Sequence, residues 1–302
     1  MRKLRANIRT MLTRILLTIV VAGLPLMAFS QARSIELYPY NYTSISPAFA
    51  GVDGTKFTFI GNLVTWGGDY YPYTGFLGAE TSYKNVGFGL TAFRQRASAL
   101  TRTEIALPVN YQWKINEKNK LVFATRLSYQ HAVVDFDAFI PLDPNDPLLT
   151  NDNKMSQSRP NVSLGTLYKG DLLYAGFSVD NILTKEDPSV YAYQARKYNL
   201  IIGKDLKGKG KWSSMHSIYA AMNDNFWTLD VNNSVIFKDL IIAGFSIEFN
   251  DDTQDQVIPK VNAGVKFGDY GKAVIMLYSA SNDERDLKFR GQLFLMFTLP
   301  SL

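Results

Sequence analysis

The sequence predicts an all-β fold: a transmembrane antiparallel β-barrel of about fourteen strands, preceded by a cleaved signal peptide. Three observations predict it. Apolar residues recur at every second position from about Gly54 to the C-terminus, and the i, i+3, i+4 spacing of an amphipathic helix is never sustained. Connections are short after even-numbered strands and mostly longer after odd-numbered ones, the asymmetry of bacterial outer-membrane barrels. No apolar run beyond residue 30 reaches helix-spanning length, whereas tilted strands of about ten residues can cross the hydrocarbon core.

The chain opens with Arg2, Lys3, Arg5, Arg9 and Arg14, followed by an almost continuous apolar run from Ile15 to Phe29. Ala28-Phe29-Ser30 places small residues at −3 and −1 before Gln31, so residues 1–30 read as a secretory signal peptide. A helical anchor would need roughly 20 apolar residues, and this run is shorter and carries Pro25. Of 32 basic side chains, five lie in this leader, which leaves 27 to face 27 acidic ones. A neutral mature chain has no basic stripe for nucleic acid. With no cysteine there are no disulfides and no thiolate metal sites.

Residues 31–53 precede the first strand and contain Tyr38, Tyr40, Tyr42 and Phe49. The segment is too apolar for a free tail. It is expected to pack into the periplasmic mouth or lumen of the barrel, or to contact a periplasmic partner. The barrel itself is expected over residues 54–302.

In order, the expected strands are 54–66, 73–83, 86–95, 101–113, 119–130, 160–169, 171–180, 196–206, 211–221, 225–237, 239–249, 259–268, 271–280 and 287–298. In the fifth, Leu121, Phe123, Leu127 and Tyr129 oppose Ala124, Arg126, Ser128 and Gln130. In the seventh, Leu173, Ala175, Phe177 and Val179 oppose Tyr174, Gly176, Ser178 and Asp180. The eleventh is the clearest, with Ile241, Ala243, Phe245, Ile247 and Phe249 against Ile242, Gly244, Ser246 and Glu248. The inward charges Arg126, Asp180, Glu248, Lys266, Lys288 and Arg290 should meet water or one another in the lumen, because they are costly against lipid. Trp66, Tyr71, Tyr83, Tyr111, Trp113, Tyr129 and Tyr168 fall near strand ends, where aromatic girdles meet the interfaces.

The tight connections are Lys84-Asn85, 114–118, Gly170, 207–210, Lys238-Asp239 and Asp269-Tyr270. The longer ones are 131–159, 181–195, 250–258 and 281–286, with a short link near Met222 as the exception.

Few residues offer chemistry. His131 and His216 are the only imidazoles, and neither sits in a metal or nucleophile motif, so both read as solvated or lumenal residues. Gly203-Lys204-Asp205-Leu206-Lys207-Gly208-Lys209-Gly210 nearly spells a phosphate loop, but Gly210 replaces the magnesium-binding hydroxyl and a strand follows. It reads as a basic turn. Asp143-Pro144-Asn145-Asp146-Pro147 and Asn151-Asp152-Asn153 gather oxygen ligands without calcium-loop spacing, and read as turn chemistry. No catalytic residue, metal site or cofactor is expected.

Three segments carry a family resemblance: Ser46-Pro47-Ala48-Phe49-Ala50-Gly51; Lys84-Asn85-Val86-Gly87-Phe88-Gly89-Leu90; and Phe136 to Asp143-Pro144-Asn145-Asp146-Pro147, followed by Pro160-Asn161-Val162-Ser163-Leu164-Gly165. In their order the chain resembles the PorP/SprF family, outer-membrane proteins of the Bacteroidetes type IX secretion and gliding machinery. It departs from that pattern at Ser46, at Asn62 to Trp66, and at its non-aromatic end Thr298-Leu299-Pro300-Ser301-Leu302. The resemblance implies a non-enzymatic protein of the outer-membrane bilayer. It would work with type IX components and support secretion or surface attachment of a large partner such as an adhesin. The segments around Pro47 and Asp143 are the expected partner surfaces. The inward polar residues leave a passive channel or small-solute transporter as the alternative.

Overall fold

The computed structural model describes residues 37–65, 73–97, 99–135, 154–184, 195–208, 210–223, 226–251, 256–279 and 289–299. Fourteen strands follow in chain order: β1 (Thr55–Thr65), β2 (Tyr73–Tyr83), β3 (Val86–Ala97), β4 (Leu100–Lys114), β5 (Lys120–Asp135), β6 (Lys154–Lys169), β7 (Leu173–Asp180), β8 (Lys197–Lys207), β9 (Trp212–Asn223), β10 (Trp227–Phe237), β11 (Ile241–Asn250), β12 (Gln256–Lys266), β13 (Gly271–Ser279) and β14 (Phe289–Leu299). Each pairs antiparallel with its sequence neighbours, and β14 closes on β1 from Thr55↔Leu299 to Thr65↔Arg290. Closure pairs the backbone all the way round, which matters because each unpaired group in hydrocarbon costs several kcal/mol.

Alternation sorts the side chains. Every strand turns large apolar residues outward, among them Phe57, Leu77, Leu90, Ile105, Phe123, Leu164, Phe177, Ile202, Ile218, Phe245, Val261 and Leu277. A continuous exposed belt of this kind exceeds any patch a soluble monomer tolerates and matches a lipid-facing wall. Tyr83, Tyr111, Trp113, Tyr129 and Tyr168 lie exposed on that outer face, joined by Trp212 and Tyr270. Trp66 and Tyr71 lie outside the described residues.

The strands agree with expectation in number and order but differ at some ends. β5 and β6 remain paired up to Asp135↔Lys154, so much of the expected 131–159 loop is wall. Alternation fades there because Ser156 and Ser158 face outward where no apolar neighbour is demanded. The β3–β4 link at 98–99 is a second short connection at the long-loop end, beside 224–226. Register and alternation put both histidines on the outer face, which removes the lumenal alternative. There the His216 ring meets Asn233 Oδ1 at 2.8 Å and Ser214 Oγ at 3.0 Å, and His131 meets Ser158 Oγ at 2.7 Å. These bonds engage both ring nitrogens of His216 and Nδ1 of His131.

Candidate functional site: the segment inside the barrel

Residues 37–53 occupy the lumen, running from mid-barrel to the short-turn mouth, where the chain enters β1. Three single 3-10 turns, Tyr38–Tyr40, Tyr42–Ser44 and Pro47–Phe49, fold the segment on itself. Pro39 and Pro47 open two of them with a preset φ. Ser46 caps the third, its Oγ accepting the Ala48 N–H at 3.4 Å. Local bonds such as Asn41 N to Tyr38 O (2.8 Å) and Ser46 N to Tyr42 O (3.0 Å) satisfy backbone that has no strand partner.

Three tyrosines fasten the inner half. Tyr38 stacks on Tyr219 at 4.9 Å and donates to Asp230 Oδ1 at 2.8 Å. Asp230 in turn accepts from Lys260 Nζ at 2.9 Å, and Lys260 also bonds Glu248, which buries one ammonium between two carboxylates. Tyr40 donates to Asn262 Oδ1 at 2.6 Å, meets Ser234 Oγ at 3.0 Å, and lies 5.1 Å from Lys272 Nζ across its ring. Burial pushes the Tyr40 phenol up to about 12 and raises Tyr38 and Tyr42 as well. Tyr42 bonds the hydroxyl of Tyr174 and packs 5.0 Å from Phe49.

Pro47, Ala48, Phe49, Ala50 and Gly51 form the outer half, all buried. Asn110 of β4 holds them: its Nδ2 donates to Ala50 O at 2.6 Å and to Pro47 O at 3.4 Å, while its Oδ1 accepts the Gly87 N–H at 3.2 Å. Glu80 Oε2 accepts from Gly51 N at 3.1 Å and Thr43 Oγ1 at 2.6 Å. Gly51 has φ +65°, and a Cβ there would stand 2.0 Å from Thr81 O. A Cβ on Gly87 would fall 2.3 Å from Ala50 O, and one on Gly165 would fall 2.8 Å from Ser46 Oγ and 3.2 Å from Pro47 Cγ. The wall is therefore thinned where the segment presses on it. Phe49 packs edge-on against Tyr174 at 6.0 Å.

At the mouth, Asp53 stands partly open between Lys56 (3.3 Å) and Lys169 (3.7 Å). Enclosure opposes its ionisation, but the Lys56 and Lys169 ammonium groups outweigh this and hold its carboxyl well below the usual carboxylate range. Of the other inward charges expected, Arg126 pairs with Asp180, and Lys266 reaches Asp239 at 2.6 Å at the short-turn end. Lys288 and the side chain of Arg290 lie outside the described residues.

The structure thus brings Pro47 to Gly51 together with Gly87 of the second resemblance segment and Gly165 from the described part of the third. Asp143, Pro144, Asn145, Asp146 and Pro147 lie outside the described residues. Sequence reasoning missed Asn110, Glu80, Asp230 and Lys260. Their only signal is position on the inward face, shared with dozens of residues. Among the described residues, no group of three or more His, Cys, Asp or Glu side chains is placed to hold a metal ion.

A closed barrel with an apolar belt outside and its own N-terminal segment packed within is a transmembrane barrel of the outer-membrane type. Residues 28–277 match the family described as type IX secretion system membrane protein PorP/SprF, and the chain belongs to that family. No curated protein matches it in sequence. Among solved structures it is similar to the Ralstonia pickettii toluene transporter TbuX, with TM-score 0.52, 7% identity, and coverage of 86% of this chain and 92% of that one. It is also similar to the CymD monoaromatic hydrocarbon channel, with TM-score 0.51, 10% identity, and coverage of 89% and 93%. At such identities the likeness is one of fold alone.

Proposed function

We propose that this protein is an outer-membrane scaffold of the type IX secretion machinery that supports secretion or surface attachment of a large partner protein such as an adhesin. In this reading, residues 1–30 are removed on export, residues 31–53 are the barrel's plug, and the short turns face the periplasm. The observation that carries it is the seating of residues 37–53. Asn110, Glu80, Asp230, Ser178 and Asn262 all commit lumenal hydrogen bonds to the inner segment. A wall whose polar groups hold a plug suits a rigid platform better than an open conduit, so the passive-channel reading ranks second. Pro47 to Gly51 then act as the seat of the plug, and Asp143 to Pro147 are the proposed partner surface.

Affinity purification of the tagged protein from gently solubilised outer membranes of its native host, followed by mass spectrometry, tests this. Stoichiometric recovery of type IX components or a large surface protein is expected. Recovery of the barrel alone, together with steady conductance in planar bilayers, would move the assignment to a channel.

A further inference from the structure

Arg102 of β4 and Arg159 of β6 differ from most other inward cations, of which Lys272 and Lys197 lie over the rings of Tyr40 and Tyr219 and the rest have polar partners. Arg126 has Asp180, Lys260 has Asp230 and Glu248, Lys56 and Lys169 have Asp53, and Lys120 donates to Val52 O and Gln112 Oε1. Neither Arg102 nor Arg159 meets a carboxylate among the described residues, and Arg102 Nε is buried with no hydrogen-bond partner. The registers Arg102↔Ala132↔Gln157 and Glu104↔Gln130↔Arg159 place the two arginines on neighbouring rungs of one wall. They line a common pocket with Phe93, Gln130 and Gln157 at the long-loop end of the lumen, beyond the inner segment. Glu104 shares this lining, but its carboxylate already accepts from Gln130 Nε2 at 3.0 Å and faces Arg126.

A guanidinium N–H buried without an acceptor, as at Arg102 Nε, is unfavourable, and two half-buried guanidinium groups on one wall repel each other. A carboxylate relieves both terms, because its two oxygens match the guanidinium fork. We propose that Arg102 and Arg159 form a carboxylate-binding site near the long-loop end of the wall. The carboxylate can belong to an acidic side chain, a polypeptide C-terminus or a small organic acid. The site stands on the pocket itself, so its test can fail while the co-purification above succeeds, and the reverse.

The full mature barrel, purified in detergent, is titrated by fluorescence anisotropy with two labelled peptides. One is glutamate-rich with an amidated end, and the other is a neutral glycine-serine peptide with a free C-terminus. Succinate and inorganic phosphate serve as competitors. Saturable binding of the first peptide assigns side-chain carboxylates, and of the second a chain terminus; succinate binding with neither peptide, read by calorimetry, assigns a small acid. Each supports the site if R102Q and R159Q weaken binding by roughly tenfold or more, the scale of one charge-assisted hydrogen bond. R102K should fall between, since a point charge replaces a fork. Retained heat-modifiable mobility on gels establishes that the variants fold. The site is overturned if no carboxylate probe binds, if the double variant binds like the parent, or if phosphate alone binds.

Discussion

Tyr38 Oη donates to Asp230 Oδ1 at 2.8 Å across a separation of 192 residues, while Lys260 Nζ holds the other oxygen of Asp230 at 2.9 Å. The inner segment is thereby tied to a buried charge cluster that also anchors β10 to β12. Lys260 is essentially inaccessible, with 1% of its side chain exposed.

Lys260→Met should therefore strand Asp230 and Glu248 without their cation and destabilise the barrel by about 3–5 kcal/mol, the range for breaking a buried pair from one side. Urea unfolding in micelles reads this as a lowered midpoint. Adding D230N and E248Q should recover most of the loss, because three neutral groups no longer leave a buried charge. An unchanged midpoint for K260M alone would contradict the structure.

Gly51 and Gly54 both have positive φ, +65° and +97°, but only Gly51 is crowded: an alanine methyl there would stand 2.0 Å from Thr81 O. Gly54→Ala should cost about 1–2 kcal/mol from backbone strain alone. Gly51→Ala should cost more and also loosen the inner segment. Limited proteolysis distinguishes them: accelerated cleavage within residues 37–53 is expected for G51A and not for G54A.

Asn110 joins Ala50 O, Pro47 O and Gly87 N. Asn110→Asp sets a carboxylate against two carbonyl oxygens, and Asn110→Ala removes the side-chain partner of Ala50 O and the Gly87 N–H, while Pro47 O keeps the Ala50 N–H at 3.2 Å; about 1–3 kcal/mol is expected for each buried group left unmet. Proteolysis should again report release of the segment, with N110D at least as susceptible as N110A. Parent-like resistance in both would show that Asn110 does not hold it.

Tyr40 has a phenol pushed up to about 12 from an ordinary 10.0 by burial. Its folded-state value lies above the unfolded one, so the stabilisation is fully present below pH 10 and is lost as pH rises through about 12. Ultraviolet tyrosinate absorbance should show a late-titrating component coupled to unfolding. Tyr40→Phe should remove that component and lower neutral-pH stability, because Asn262 and Ser234 lose their partner at 2.6 Å and 3.0 Å.

Planar bilayers offer the remaining check. The intact protein is expected to give no steady conductance, and deletion of residues 37–53 is expected to give stable currents if the shortened barrel keeps its heat-modifiable mobility. Stable currents from the parent would contradict the seating of residues 37–53.

Period-two alternation and the parity of turn lengths determine the fold from the sequence, because both follow from local geometry. A strand must present one side to lipid, and Ile241, Phe245 and Phe249 against Ile242, Ser246 and Glu248 show that constraint residue by residue. The same constraint lapses above the membrane, which is why the outer ends of β5 and β6 are illegible in the sequence. Motif resemblance likewise marks Pro47 to Gly51, Gly87 and Gly165 as a set while leaving their purpose open. Only the tertiary structure showed that they are spatial neighbours, by bringing residues 46–51, Gly87 and Gly165 within van der Waals reach inside one cylinder. It also decided which lumenal polar groups pair and which stay open: Lys260 found two carboxylates and Arg102 found none among the described residues. Partner choice across a barrel depends on strand register and the path of the inner segment, and no spacing along the chain encodes either one locally.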